Sequence, residues 1–136
     1  MTPVSVLLVD DNSTFLRLAT RFLDAYGHNE VVVIGEARGG REALVRIEEL
    51  KPQVVLLDLS MPDLPGLKVI PRLRAMVTEV GIIALTVMDN EFYRKAALAA
   101  GADEFVPKAT ISAELLPAIR RVMHTGGKPG LAEPEP

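Results

Sequence analysis

The stretch Val54-Val55-Leu56-Leu57-Asp58-Leu59-Ser60-Met61-Pro62-Asp63 sets four aliphatic residues side by side, then an aspartate, then a turn-forming Pro-Asp pair. An unbroken aliphatic run bounded by turn residues does not fit a strand with one wet face. It fits a short strand buried on both faces, as in a parallel sheet. Working outward, the same pattern recurs, so that strands are expected at residues 4–9, 31–36, 53–57, 80–86 and 104–106. The last run is the weakest and is assigned mainly because the alternation requires it.

Helix-length segments separate these runs. In the first, Phe15, Leu18, Phe22 and Tyr26 share one face, with Asn12 or Ser13 able to cap it and Gly27 supplying a stop. In the second, Ala43, Ile47 and Leu50 line up ahead of Pro52, which ends the helix. The third, Gly66–Met76, and the fifth, 112–125, carry Pro71 and Pro117. Each proline removes one intrahelical hydrogen bond, which predicts a late start or a bend. Ser112 is the expected N-cap of the fifth helix. The fourth, 90–100, is Ala-rich, capped by Asp89 or Asn90 and closed by Gly101. Strict alternation predicts an α/β doubly wound parallel sheet of five strands with five helices on its two faces. The strand order is expected to be the flavodoxin-like 2-1-3-4-5.

Bulk properties narrow the function. The chain has 136 residues, enough for one domain with a substantial core. Aromatic residues make up only 4% and Trp is absent, so the core must be aliphatic. A formal charge of −3 gives no basic footprint for nucleic acid or an anionic membrane surface. With no cysteine there is no disulfide framework, thiolate metal site or Cys nucleophile. The first strand begins too early to leave room for a signal peptide, and no apolar run is long enough to span a bilayer. A cytoplasmic location is expected. Residues 126–136, made of Gly, Pro, Glu and little to bury, are expected to be a disordered tail.

In a doubly wound sheet, ligands bind where the strands end at their carboxyl sides. There the first strand delivers Asp10-Asp11-Asn12, the third Asp58, the fourth Thr86, and the fifth is followed by Lys108. Each alone has an ordinary explanation: an Asp after a strand forms turns or caps helices, and a Lys there is commonly solvated. Their conjunction does not, because solvated charges have no reason to select one end of four strands. Two carboxylates about 4 Å apart repel by roughly 4 kcal/mol at an effective dielectric near 20. Such a group calls for protons or a hard cation, and all-oxygen ligands favour Mg²⁺, with Mn²⁺ as an alternative. A metal and a Lys together neutralise the oxygens of a transferring phosphoryl group, and a carboxylate can be the nucleophile that receives it.

Taken in order, these residues resemble the signature of the response-regulator receiver family. Val6-Leu7-Leu8-Val9-Asp10-Asp11 is similar to its acidic pair, and Val54 through Asp63 to the segment around its phosphoacceptor. Gly66 matches the glycine that follows, Leu85-Thr86 the switch hydroxyl, and Gly101-Ala102-Asp103-Glu104-Phe105-Val106-Pro107-Lys108 the segment ending in its lysine. Gly35-Glu36-Ala37 and the context of Lys108 look closest to the subfamily often fused to helix-turn-helix output domains. The resemblance implies a receiver domain over residues 1–125, which is phosphorylated on Asp58 by a histidine kinase or phosphotransfer domain. It implies Mg²⁺ held by Asp11, Asp58 and the backbone carbonyl of Ser60, with Asp10 acting mainly through water. Lys108 would pair with Asp58 or the phosphoryl oxygens, Thr86 would move toward them, and Phe105 would rotate inward. That exchange would alter the face of the fourth helix, fifth strand and fifth helix, where Tyr93, Arg94 and Lys95 could meet an output partner or a second copy. Arg17 and Arg21 on the first helix could meet the phosphodonor.

Two features depart from the family pattern. Ala109 follows Lys108 where relatives often have Pro after a cis bond, and a cis bond without proline costs about 3 kcal/mol, so a trans bond is expected. Phe105 lacks the hydroxyl of the tyrosine common in relatives, which predicts a softer switch. An aspartate-nucleophile phosphatase would normally show Asp-x-Asp, whereas Ser60 occupies the second position. The chain is therefore expected to catalyse only its own phosphoryl transfer and dephosphorylation. The remaining alternative is a phosphorylation-independent receiver-like interaction module, although none of the acidic, Lys or acceptor residues is missing. No DNA-reading helix follows the fifth helix, so no direct nucleic-acid or membrane contact is expected from these residues.

Overall fold

The computed structural model describes residues 2–125; the tail expected over 126–136 lies outside them. Five strands, β1 (Val4–Val9), β2 (Val31–Ala37), β3 (Val54–Asp58), β4 (Gly81–Thr86) and β5 (Glu104–Pro107), form one sheet in the order β2-β1-β3-β4-β5. Every pairing is parallel. The alternating helices are α1 (Ser13–Gly27), α2 (Gly40–Leu50), α3 (Gly66–Met76), α4 (Glu91–Ala100) and α5 (Ile111–Thr125). The expected architecture and strand order are therefore found, with strand ends shifted by a residue. No helix among the described residues is long and apolar enough to cross a membrane.

The continuous aliphatic runs are explained by a core on each side of the sheet. Leu7, Val9, Val55 and Leu57 point into one core, which α2, α3 and α4 cover. Val6, Leu8, Val54 and Leu56 point into the other, beneath α1 and α5. Successive side chains of a strand take opposite faces, so both parities must be apolar when both faces are covered. Full burial of each such side chain stabilises by about 1.5–3 kcal/mol relative to exposure.

Three local expectations are corrected. The stripe Phe15–Leu18–Phe22–Tyr26 is not the buried face of α1: Leu18 is 56% and Tyr26 72% exposed, and only Phe15 and Phe22 lean on the core. The buried stripe is Leu16, Ala19, Leu23 and Gly27, one position over, whose smaller residues admit closer approach to the neighbouring elements. Gly27 is accordingly not a left-handed stop. The cap is His28 in the right-handed region, and a Cβ on Gly27 would come within 3.0 Å of Leu116. Ser112 is not an N-cap either, because a 3-10 turn (Lys108–Thr110) already leads into α5 and Ile111 N–H donates to the Lys108 carbonyl.

Pro71 and Pro117 lie inside α3 and α5, and neither helix starts late. By contrast, Asn90 caps α4 by accepting from Tyr93 N–H, and Gly101 closes it at φ 124°, a region that a side chain would strain. Lys51 ends α2 in the left-handed region just ahead of Pro52.

One cation fastens the α3–β4 and α4–β5 corners. The Arg74 guanidinium donates to the carbonyls of Thr78, Val80 and Gly101 and pairs with Asp103 at 2.8 Å. The same Asp103 oxygen accepts from Ile82 N–H at 2.8 Å, which ties the start of β4 to the residue before β5. These anchors lie at the end of the sheet opposite the polar rim.

Candidate functional site

The buried polar and charged side chains among the described residues are Asp10, Asp58 and Thr86, at 1%, 4% and 0% exposure. All three stand at carboxyl ends of strands. Asp10 directly follows β1, Asp58 is the last residue of β3, and Thr86 the last of β4. Because β1 and β3 are hydrogen-bonded neighbours, with Val9 opposite Leu57, their terminal carboxylates are forced together. Oxygens of Asp10, Asp11 and Asp58 lie within 4.8 Å of one another, with Asp11 exposed and the other two buried.

Lys108, just beyond β5, reaches across this rim. Its Nζ lies 2.6 Å from Asp10 Oδ2 and 3.3 Å from Asp58 Oδ1. Asp10 is held on its other oxygen by Asn12 N–H at 2.9 Å. Asn12 in turn caps α1 by accepting from Phe15 N–H, so the cap and the acidic pair form one connected turn. The Lys108–Ala109 bond is trans, as expected.

Electrostatics work against the charged form of Asp58. Burial, and then the negative charge of Asp10, push its pKa up to about 6, against the opposing pull of Lys108 and the Ser60 N–H. A buried carboxylate beside a second one is favourably ionised only if more positive charge arrives. The donor set is all oxygen, without His or Cys, and one of its carboxylates opens to solvent. These residues fit a hard divalent cation such as Mg²⁺.

The remaining predicted residues are placed as follows. The Thr86 hydroxyl oxygen accepts from Met88 N–H at 2.8 Å, and no hydrogen bond joins it to Asp58 among the described residues. Ser60 is exposed and contributes its N–H to Asp58. Phe105 is buried in the core under α2, α3 and α4, and the Arg94 guanidinium lies 5.9 Å from its ring centre. Tyr93 is half-buried, whereas Arg17, Arg21 and Lys95 are exposed.

Sequence reasoning missed two residues that border the site. Phe15, read as an ordinary core-face residue, places its ring 4.2 Å from Lys108 Nζ. Asp63, read only as part of a turn, accepts from the N–H groups of Gly40 and Arg41 at 3.0 and 3.1 Å, capping α2 from the β3–α3 loop. A Cβ on Gly39 would come within 2.9 Å of that carboxylate, which accounts for the small residue there. The pairing of Asp63 with a Gly-Gly step 23 residues away has no local signal in the sequence.

Residues 6–120 match the response regulator receiver domain family. Among relatives, the chain is 37% identical over 121 residues to the response regulator MprA of Mycolicibacterium vanbaalenii, covering 89% of this chain and 51% of that protein. It is 31% identical over 121 residues to the response regulator protein VraR of Staphylococcus saprophyticus, covering 88% of this chain and 56% of that one. The chain thus spans about half the length of these relatives. Among solved structures, it is similar to the signal receiver domain of NarL from Mycobacterium tuberculosis, with TM-score 0.83, 29% identity and coverage of 91% and 98%. The response regulator domain of CheB from Thermotoga maritima also has TM-score 0.83, at 26% identity, with coverage of 97% and 99%.

Proposed function

Since the chain belongs to the response-regulator receiver family, the phosphoacceptor switches of two-component signalling, we propose that Asp58 is its phosphoacceptor and that Asp10, Asp11, Thr86 and Lys108 serve the transfer. The observation that carries this reading is the placement of every buried polar side chain among the described residues on one rim, with Lys108 bridging its two buried carboxylates. In the transfer an Asp58 oxygen attacks phosphorus as the bond to the donor imidazole nitrogen breaks, leaving the electron pair on that nitrogen. The residues that would hold Mg²⁺ (or Mn²⁺) are Asp11, Asp58 and the Ser60 carbonyl, with Asp10 acting through water. When bound, the ion supplies charge neutralisation on the phosphoryl oxygens. Lys108 supplies a second positive charge at the same oxygens, and the Thr86 hydroxyl a hydrogen bond once it leaves Met88. In that exchange Thr86 moves toward the phosphoryl group and Phe105 rotates inward, and the affected face is that of α4, β5 and α5.

The switch is assigned to residues 1–125, acting in the cytoplasm with chemistry confined to its own phosphorylation and dephosphorylation. A histidine kinase or phosphotransfer protein is the donor, approaching along α1 near Arg17 and Arg21. A downstream protein, an output domain or a second copy reads the α4 face. Incubation with acetyl phosphate and Mg²⁺, followed by intact-mass measurement, tests the central assignment. One phosphoryl adduct is expected on wild type and none on Asp58→Ala. An undiminished adduct on Asp58→Ala would overturn it, and no adduct on either would favour a phosphorylation-independent module.

A further inference from the structure

Lys108, Asp10, Asn12 and Phe15 form a closed circuit of contacts. Lys108 Nζ lies 2.6 Å from Asp10 Oδ2, and Asp10 Oδ1 accepts from Asn12 N–H at 2.9 Å. The Asn12 carboxamide oxygen accepts from Phe15 N–H at 3.0 Å, and the Phe15 ring returns to Lys108 Nζ at 4.2 Å. Each link constrains the next: the cap fixes the backbone of Phe15, and the first turn of α1 aims its ring at the ammonium. We infer that Phe15 is a positioning residue for phosphoryl transfer, its ring face holding the Lys108 ammonium against the acidic rim. The inference rests on the phosphoacceptor reading of Asp58 and adds to it a group that reading does not contain.

Physical reasoning favours an aromatic ring at this place. The ammonium has three N–H donors and must be free to turn from Asp10 toward an arriving phosphoryl group. A third carboxylate or amide would hold it by a directional hydrogen bond and compete with the phosphoryl oxygens. The negative face of a ring attracts the charge without fixing a donor direction. The ring also helps keep water from the Lys108 side chain, which is 14% exposed, and so limits screening of its charge. No proline follows Lys108; the backbone passes through a trans bond into the 3-10 turn. The four-carbon stem is flexible, and an outside contact is what restricts its end.

The test compares Phe15→Leu, which keeps apolar bulk without the ring face, with Phe15→Tyr, which restores it. In metal-free wild type, the ε-methylene protons of Lys108 are expected upfield from the ring current. The shift should vanish in Phe15→Leu and return in Phe15→Tyr. Adduct formation on Asp58 from acetyl phosphate with Mg²⁺ should slow by roughly three- to ten-fold in Phe15→Leu, the range a partly desolvated cation–π contact supplies, and recover in Phe15→Tyr. Matching thermal melts would show that the loss is not one of folding. An unshifted Lys108 signal in wild type, or equal rates in a folded Phe15→Leu, would overturn the inference. The wild-type signal decides even if Phe15→Leu fails to fold. Absence of any wild-type adduct would sink the phosphoacceptor reading instead, while the resonance shift would still report whether the ring holds the ammonium.

Discussion

The Lys108 ammonium sits closer to Asp10, at 2.6 Å, than to the proposed acceptor Asp58, at 3.3 Å. The rim's cation is therefore shared unequally, and Asp58 is the carboxylate left short of positive charge. Replacing Asp10 by Asn removes a repelling charge and frees Lys108 to turn fully to Asp58. Both changes act in one direction, so the Asp58 pKa is expected to fall from about 6. Burial, its largest cause, keeps it above the ordinary value. A ¹³C titration of the Asp58 carboxyl in EDTA reads this directly, and an unchanged or higher value in Asp10→Asn would contradict it.

The same imbalance makes the ionised site a cost to the fold. Asp58 has a folded pKa of about 6 against an ordinary 3.8, so its contribution to stability is fully present below 3.8 and is lost as pH rises through about 6. At neutral pH, Asp58→Asn should therefore be more stable than wild type, by roughly 2–3 kcal/mol if the whole shift is realised. Denaturation in EDTA at pH 7.5 and pH 4.5 is the measurement, and the gap should narrow markedly at the lower pH. Added Mg²⁺ should raise the wild-type Tm and move that of Asp58→Asn much less. A variant no more stable than wild type at pH 7.5 would mean that Asp58 is not strained by its surroundings.

Asp63 joins the loop after β3 to the start of α2. Its carboxylate accepts from the backbone of Arg41 and Gly40, which holds its pKa below the ordinary range. With a depressed folded pKa, its contribution is present above 3.8 and is lost as pH falls through the lower folded value. Asp63→Ala should lower the Tm at neutral pH and speed hydrogen exchange at the Gly40 and Arg41 amides. The difference from wild type should shrink once the solution is acidified past 3.8. Unchanged exchange at those two amides would show that the cap is dispensable.

Gly66 lets α3 begin against the end of β3. A Cβ there would stand 2.6 Å from the Asp58 carbonyl oxygen and 2.7 Å from Leu59 Cα, both backbone atoms with nowhere to go. Gly66→Ala should cost about 1–3 kcal/mol, as overpacking does. It should also shift Asp58 and slow adduct formation even where the protein remains folded. Urea melts combined with the intact-mass assay would separate the two effects. Wild-type behaviour in both would show that the loop absorbs the methyl group freely.

The five strands, their parallel order and the acidic rim were legible because their signals are local and redundant. Runs such as residues 54–57 are apolar at both parities, as double burial demands, and Asp58 and Thr86 end their strands while Asp10 and Lys108 directly follow theirs. The stop after Lys51 and the caps at Asn12 and Asn90 follow from short-range backbone preferences in the same way. The position of Asp58 beside Asp10 likewise needed only the strand order, because neighbouring parallel strands bring their ends together.

Where two local readings compete, or where partners are distant, packing alone decides. α1 offers two apolar stripes a residue apart, and only the approach to α5 and the sheet selects Leu16, Ala19 and Leu23 over Leu18 and Tyr26. The burial of Phe105, the grip of Asp63 on Gly40, and Phe15 over Lys108 are of this second kind. The amino acids of the chain determined which groups reach the rim, since period and turn chemistry act over a few residues. Tertiary structure decided how those groups are shared, capped and covered, because those contacts join segments from 23 to 98 residues apart that no local preference links.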